Sequence, residues 1–235
     1  MRTRVEQTSE DEFRQSRIQI LAELTKIRQI CCDPSLLFAD YDGGSAKREA
    51  CIELIRDAIE GEHKILVFSQ FTSMLDLLQE DLKEEKIPFY VITGATPKEK
   101  RLEYVNAFNK DQTPVFLISL KAGGTGLNLT GADVVIHYDP WWNLAAQNQA
   151  TDRAHRIGQE KIVTVIRLIM KQTIEEKILE MQESKKKLAE DILGGENISS
   201  TAIDREDLLA LLTIPADAPS SGGKRRIKDQ EAGNR

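Results

Sequence analysis

The segment 149–159, QATDRAHRIGQ, carries the residue types best suited to chemistry. On a helix, Gln149, Arg153 and Arg156 would share one face, because their spacings of four and three residues each correspond to about one turn. Guanidinium groups stay charged at any working pH and match phosphate oxygens in geometry. Two of them on one face would stabilise the negative charge that spreads during phosphoryl transfer. The alternative is a solvated arginine face in which Asp152 pairs with Arg156.

A glycine-rich turn follows the apolar run PVFLISL. Gly124 and Gly126 would let the backbone approach a phosphate or another chain closely, and Thr125 adds a hydroxyl. In an open α/β sheet, ligands bind where strands end in this way. A dinucleotide fingerprint needs a third glycine, but Leu129 stands at that position, which argues against a Rossmann-type dehydrogenase.

Two adjacent tryptophans, Trp141 and Trp142, come directly after Asp139 and Pro140 at the end of another apolar run. We expect one of them to pack on the core. The other either packs as well or contacts a partner lobe or a nucleic-acid backbone, since tryptophan is common at such interfaces.

Short apolar runs and amphipathic helices must position these groups. The runs KILVFS, FYVIT, PVFLISL, DVVIHYD and IVTVIRLI predict five strands. Because these runs are rich in Val, Ile and Leu and are joined by helices, they predict an α/β fold: a doubly wound, mostly parallel sheet flanked by helices. Further helices are predicted over 11–32, 46–60, 143–156 and 173–192, with Thr-x-x-Glu capping boxes beginning at Thr96 and Thr173.

We divide the chain into four parts. They are a lead-in helix and linker (1–45), an α/β core (46–170), C-terminal helices (171–212) and a flexible Pro-, Ser-, Gly- and Lys-rich tail (213–235).

The composition excludes several classes of protein. The formal net charge of -6 over 235 residues means that any DNA contact must be local. No apolar run approaches the roughly 20 residues of a membrane-spanning helix, so no membrane contact is expected. Three cysteines and three scattered histidines form no zinc spacing, so no metal site is predicted. A P-loop is absent as well, since the one Gly-Lys pair, Gly223-Lys224, is followed by Arg225.

Five segments together resemble the second RecA-like lobe of a Swi/Snf-family DNA-translocating ATPase, within the superfamily-two helicases. They are, in order, LVFSQFTSMLDLL, TGATPKEKR, LISLKAGGTGLNL, DPWWN and QATDRAHRIGQ. Upstream, LTKIRQICCDPSLL resembles the helix that leads into that lobe, and IEEKILEMQESKKKLAEDIL resembles its bracing C-terminal helix. The resemblance covers residues 20–212.

This resemblance implies roles for individual residues. Arg153 and Arg156 become arginine fingers that reach ATP held mainly by the other lobe, and Gln149 helps to order that interface. Gly124, Thr125 and Gly126 couple the nucleotide cleft to DNA. The candidate DNA-contacting residues are Ser69, Gln70, Gly94, Arg101, Ser119 and Lys121, to which we add Trp141. Ser69 and Ser119 also have a structural alternative, since both end strands and could cap local backbone.

By the same resemblance, ATP and Mg²⁺ are bound mainly by a first RecA-like lobe, and that lobe and double-stranded DNA are the expected partners. The present chain alone is expected to hydrolyse ATP poorly and to hold no cofactor tightly. Its location is expected to be cytoplasmic and nucleoid-associated in a bacterium or archaeon, or nuclear in a eukaryote.

Two other hypotheses remain. One is a stand-alone module that binds nucleic acid or protein through the Trp141 region and the basic stretch 224–226. The other is a Rossmann-like enzyme acting on a nucleotide or methyl donor, which the missing third glycine already weakens.

Overall fold

The computed structural model describes residues 10–123, 127–154, 161–193 and 205–212. In chain order these residues form α1 (Glu10–Cys32), a 3₁₀ helix (Pro34–Leu36), α2 (Ala46–Glu60), β1 (Ile65–Ser69), α3 (Thr72–Glu84), β2 (Phe89–Ile92), α4 (Lys98–Phe108), β3 (Val115–Ser119), α5 (Leu120–Gly123), β4 (Val134–His137), α6 (Leu144–Thr151), β5 (Thr164–Arg167), α7 (Ile174–Leu193) and α8 (Arg205–Leu212).

All five described strands are parallel and form one sheet in the order β2-β3-β1-β4-β5. The central strand β1 pairs Ile65 with Val115 of β3 on one side and with Val134 of β4 on the other. The α/β prediction is therefore confirmed, and each of the five apolar runs contains one strand.

Each face of the sheet carries its own apolar core, because successive side chains of a strand point to opposite sides. Ile65 and Val67 pack on one face with apolar residues of α2 and α3. Leu66 and Phe68 pack on the other face with residues of α4 and α6. Burial on both faces explains why β1 and β3 read as continuous apolar runs with no alternation.

The helices at the two ends of the chain form a third apolar cluster. Ile20 and Leu24 of α1 pack there with residues of α7 and α8. The predicted N- and C-terminal helices are thus present and contact each other. The domain boundaries at residues 45/46, 170/171 and 212/213 stay predictions, and the predicted tail 213–235 lies outside the described residues.

Of the two predicted capping boxes, one is wrong and the other is close to the structure. The prediction of a capping box at Thr96 is wrong, because Thr96 Oγ1 accepts a hydrogen bond from Thr93 N at 3.0 Å inside the preceding loop. Pro97 is the residue before the helix. At Thr173 the prediction is closer, because Oγ1 accepts from Glu175 N at 3.2 Å and the Glu176 carboxylate accepts from Gln172 N at 2.8 Å.

Candidate functional site

The carboxyl ends of the parallel strands bring most of the predicted DNA-contacting residues to one edge of the sheet, where open α/β folds bind ligands. Ser69 and Ser119 end β1 and β3 and are neighbours in register. Lys121 follows Ser119 on α5, and the segment Asp139–Trp142 follows β4. The loop after β2 brings Gly94 to the same edge.

Both serine hydroxyls are engaged inside the protein. Ser69 is fully buried; its Oγ donates to Asp139 Oδ1 at 2.6 Å and accepts from Phe71 N at 3.1 Å. Ser119 is also buried, and its Oγ accepts from Ala122 N at 3.3 Å, which caps the start of α5. The structural role considered for both serines is present here, and their contact with DNA stays a prediction.

Arg101, in the first turn of α4, closes the loop after β2. Its Nε donates to Thr96 O at 2.7 Å, and its Nη2 donates to Thr93 O and Gly94 O at 3.2 and 3.1 Å. The guanidinium therefore shapes the backbone around Gly94, which is itself exposed. A Cβ added at Gly94 would meet nothing within 4 Å, so this position leaves room for another chain to approach.

The helix that carries Gln149 is shorter than predicted, and this corrects the prediction that Gln149 and Arg153 share one helical face. α6 ends at Thr151, and Arg153 lies in the turn that follows. There Arg153 N donates to Ala150 O at 3.2 Å and its carbonyl accepts from Leu129 N at 2.9 Å. These bonds tighten the last turn and end the helix. Gln149 is exposed, whereas Arg153 is only 2% exposed. Asp152 is exposed in the same turn.

Some predicted site residues lie outside the described residues. They are Arg156 and the glycine-turn residues Gly124, Thr125 and Gly126.

The segment Asp139–Trp142 is held by a buried arginine that sequence reasoning missed. Arg28 of α1 is 1% exposed, and its guanidinium donates to Pro140 O and, at 2.9 Å, to Gln70 Oε1. Asp139 Oδ2 lies 3.6 Å from Arg28 Nη2, and the same carboxylate accepts from Gln70 N. One signal was available, since Arg28 stands midway between Leu24 and Cys32 at helical spacing on a buried face.

Both tryptophans pack against the protein and are half-buried. Trp141 contacts the core that α4 and α6 share with the sheet. Its backbone N–H donates to Gln147 Oε1 at 3.2 Å. Trp142 contacts the cluster of terminal helices, with its ring 4.8 Å from the Arg28 guanidinium carbon. The double tryptophan therefore joins the sheet to the terminal helices.

His137, the last residue of β4, is buried beneath this segment. Its Nε2 shares a hydrogen bond of 2.8 Å with Thr151 Oγ1, and its ring stacks on Phe68. Burial, assisted by the charge of Arg167, lowers the pKa of His137 from 6.5 to about 4. The imidazole is consequently neutral at pH 7 and ties the end of β4 to the end of α6.

The described residues include no group of three or more His, Cys, Asp or Glu that could hold a metal ion. None of the described helices combines the length and apolar character needed to cross a membrane.

Comparison with known proteins agrees with this geometry. A family model described as "Helicase conserved C-terminal domain" matches residues 46–158. An uncharacterized ATP-dependent helicase of Mycoplasma pneumoniae is 42% identical over 197 residues, which cover 83% of this chain and 19% of that protein. A putative ATP-dependent helicase/translocase of Bacillus subtilis is 40% identical over 210 residues, which cover 87% of this chain and 23% of that protein.

Among solved structures, the Sulfolobus solfataricus SWI2/SNF2 ATPase core in complex with dsDNA is similar, with a TM-score of 0.69 and 30% identity. The match covers 91% of this chain and 45% of that one. The fold and its sheet edge thus define a C-terminal helicase lobe of the RecA-like type. More narrowly, the chain belongs to the Swi2/Snf2 family. It spans about a fifth of the length of the two bacterial relatives named above.

Proposed function

We propose that this chain is the second lobe of an ATP-driven motor that translocates along double-stranded DNA, and that it works together with a first RecA-like lobe. The assembly of this chain with that first lobe is called the two-lobe protein below. The supporting observation is the convergence of the candidate DNA-contacting residues on one sheet edge. The similarity to an archaeal core whose structure was solved with dsDNA supports the same proposal.

ATP is the substrate of the proposed reaction, and the first lobe binds most of it together with Mg²⁺. Arg153 and Arg156 would stabilise the charge that develops on the transferred phosphoryl group, and Gln149 would order the same interface. Because Arg153 is buried in this chain, its guanidinium would need a change at this turn to reach a nucleotide, whereas the Gln149 side chain is already exposed. Gly124, Thr125 and Gly126 would link nucleotide binding to DNA.

DNA binding would use phosphate contacts that carry no sequence preference. Lys121 is exposed at the sheet edge, and the loop around Gly94 that Arg101 shapes leaves space beside it. Gln70 and Trp141 lie at the same edge with part of their surface exposed, while Ser69 and Ser119 would contribute their own backbone groups at the ends of β1 and β3.

Nucleotide binding between two lobes would favour a closed state, and hydrolysis would release it. Alternating closure while one lobe grips a strand would move DNA stepwise. The isolated chain is expected to show negligible turnover, because arginines alone do not position a nucleotide.

The test is ATP turnover by the two-lobe protein with and without double-stranded DNA. Arg156→Ala should lower kcat by about 10³-fold or more, the range measured for arginine fingers. Arg56→Ala is the matched control, because Arg56 of α2 pairs at the surface with Glu85, the residue that follows α3. Wild-type turnover by Arg156→Ala would refute the finger assignment, and a wild-type two-lobe protein that shows no DNA-stimulated turnover would refute the proposed function.

A further inference from the structure

The backbone of the segment Asp139–Trp142 is held by side chains from both ends of the chain. The Pro140 carbonyl accepts from Arg28 of α1, and the Trp141 carbonyl accepts from Gln182 of α7. Both donors are buried, at 1% and 4% exposure. Two helices that are distant in sequence therefore fix two successive peptide groups at the carboxyl edge of the sheet.

The Arg28 guanidinium makes contacts that another cation would not reproduce together. Besides Pro140 O, it donates to Gln70 Oε1, lies beside the Asp139 carboxylate and stacks at 4.8 Å on the Trp142 ring. The planar guanidinium of arginine donates to several acceptors at fixed angles and stacks on aromatic rings, whereas the ammonium of lysine is a compact point charge. The contacts of Arg28 thus require the planar shape of a guanidinium as well as its positive charge.

The segment is tied in turn to α6. The backbone N–H of Trp141 donates to Gln147 Oε1 at 3.2 Å, and Gln147 is only 1% exposed. Near the end of the same helix, Thr151 shares a hydrogen bond with His137 of β4. α6 leads directly into the turn that holds Arg153. A continuous set of contacts therefore runs from α1 and α7 through Trp141 to the end of α6.

We infer that Arg28 and Gln182 are positioning residues: by holding the Pro140 and Trp141 carbonyls, they let the terminal helices set the placement of the double-tryptophan segment and of α6. Removing Arg28 alone would leave the buried Asp139 carboxylate without its counter-ion and the Pro140 carbonyl without this donor, so a loss of stability is expected as well. The effect that distinguishes a positioning residue is a change in the placement of the backbone, which is measured separately from stability below. The consequence for turnover rests on the proposed function, but the placement itself does not.

The chain offers a direct probe of this placement, because Trp141 and Trp142 are its only two tryptophans. Tryptophan emission and acrylamide quenching of the full chain report on this segment alone. The variants are Arg28→Met, Arg28→Lys and Gln182→Leu, with Arg56→Met as a control that removes an arginine from an exposed ion pair. Measurements are made well below each thermal midpoint, so that every variant is folded.

We expect Arg28→Met and Gln182→Leu to shift the emission maximum to longer wavelength and to increase quenching, because the segment loosens. Arg28→Lys should lie between wild type and Arg28→Met, and Arg56→Met should match wild type. Wild-type emission and quenching in folded Arg28→Met and Gln182→Leu would overturn the inference. If Arg28→Met does not fold, Gln182→Leu and Arg28→Lys decide the question.

The second arm measures turnover in the two-lobe protein. Misplacing a catalytic group by about 1 Å can cost roughly 100-fold in rate, so we expect Arg28→Met to lower kcat by about 10- to 100-fold. KM for ATP should stay near the wild-type value because the other lobe binds most of the nucleotide, and Arg28→Lys should restore part of kcat. Unchanged kcat in a folded Arg28→Met would overturn the link to turnover. A wild-type assembly without turnover would instead refute the proposed function, and emission would still decide the placement.

Discussion

Lys47 of α2 and Glu175 of α7 form an ion pair in the interior of the protein. Lys47 Nζ lies 2.6 Å from both carboxylate oxygens, and the two residues are 4% and 0% exposed. Glu175 Oε2 also accepts from Met170 N at 2.9 Å, and the ammonium lies 5.2 Å from the Tyr138 ring. Burial raises the pKa of Glu175, although Lys47 opposes the shift. The pair fastens the first turn of α7 to the helix that precedes β1.

Replacing Lys47 alone should destabilise the chain more than replacing both Lys47 and Glu175 with apolar residues. Lys47→Met leaves a buried carboxylate without its counter-ion, and we expect the free energy of unfolding to fall by about 3–5 kcal/mol. The double variant Lys47→Met/Glu175→Leu should regain a large part of that loss. Urea unfolding of the wild type and both variants is the measurement, with Arg56→Met as a control in which only an exposed pair is lost. A double variant less stable than Lys47→Met would contradict this explanation.

Ser69 should matter for stability, with little direct part in DNA binding. Ser69→Ala removes a buried hydroxyl that donates to Asp139 and accepts from Phe71 N. Because both partners stay buried, we expect a loss of about 1–3 kcal/mol in the free energy of unfolding. DNA affinity of the folded variant, measured by fluorescence anisotropy well below its unfolding midpoint, should equal that of wild type. A large loss of DNA affinity at unchanged stability would instead identify Ser69 as a contact residue.

Lys121 should matter for DNA binding and have little effect on stability, the opposite of what we expect for Ser69. It is exposed on α5 at the sheet edge, so Lys121→Ala should leave stability nearly unchanged and should weaken DNA binding for all sequences alike. The slope of log affinity against log salt should decrease in magnitude by about one, as for the loss of one phosphate contact. Lys110, an exposed lysine next to the end of α4, provides the control Lys110→Ala. Equal salt slopes for wild type and Lys121→Ala would exclude the contact.

The sequence predicted the sheet well because its strands are buried on both faces. Runs such as ILVFS and VFLIS are apolar throughout and are bounded by polar or helical segments, so their identity needs no tertiary information. The helix Ala46–Glu60 was predicted with the same bounds, and in the structure Ser45 is its N-cap and Gly61 its C-cap. These are signals that local chemistry supplies.

The parts that were missed depend on contacts between distant residues. The end of α6 is set by the bond from Leu129 N to Arg153 O, and no periodic pattern in residues 143–156 reveals that bond. Arg28 looked like one more charged residue of a helix, and only the fold brings it to Pro140. At Thr96 the hydroxyl could bond either to the helix or to its own loop, and the loop geometry decided the choice.

His137 should make stability depend on pH in a defined window. Its pKa is about 4 in the folded chain against 6.5 for a free side chain, so between these values the unfolded chain binds more protons. The contribution of the neutral His137 to the free energy of unfolding is therefore fully present above pH 6.5 and is lost as the pH drops towards 4. The slope should reach about 1.4 kcal/mol per pH unit, and the total loss should be about 3 kcal/mol. Below pH 4 this group contributes no further loss.

The check on His137 is urea unfolding of wild type and His137→Gln at a series of pH values between 4 and 7. Glutamine does not titrate in this range and can still bond to Thr151 Oγ1, so the difference in unfolding free energy between the two proteins should shrink or reverse as the pH falls. His63→Gln is a comparison variant: the His63 side chain is 49% exposed and pairs with Asp133 rather than with His137 or its partners, so the difference in slope that His137→Gln produces should remain in the His63→Gln background. Parallel pH profiles for wild type and His137→Gln would show that the imidazole is not held neutral, and the packing of His137 between Phe68 and Thr151 would then need another explanation.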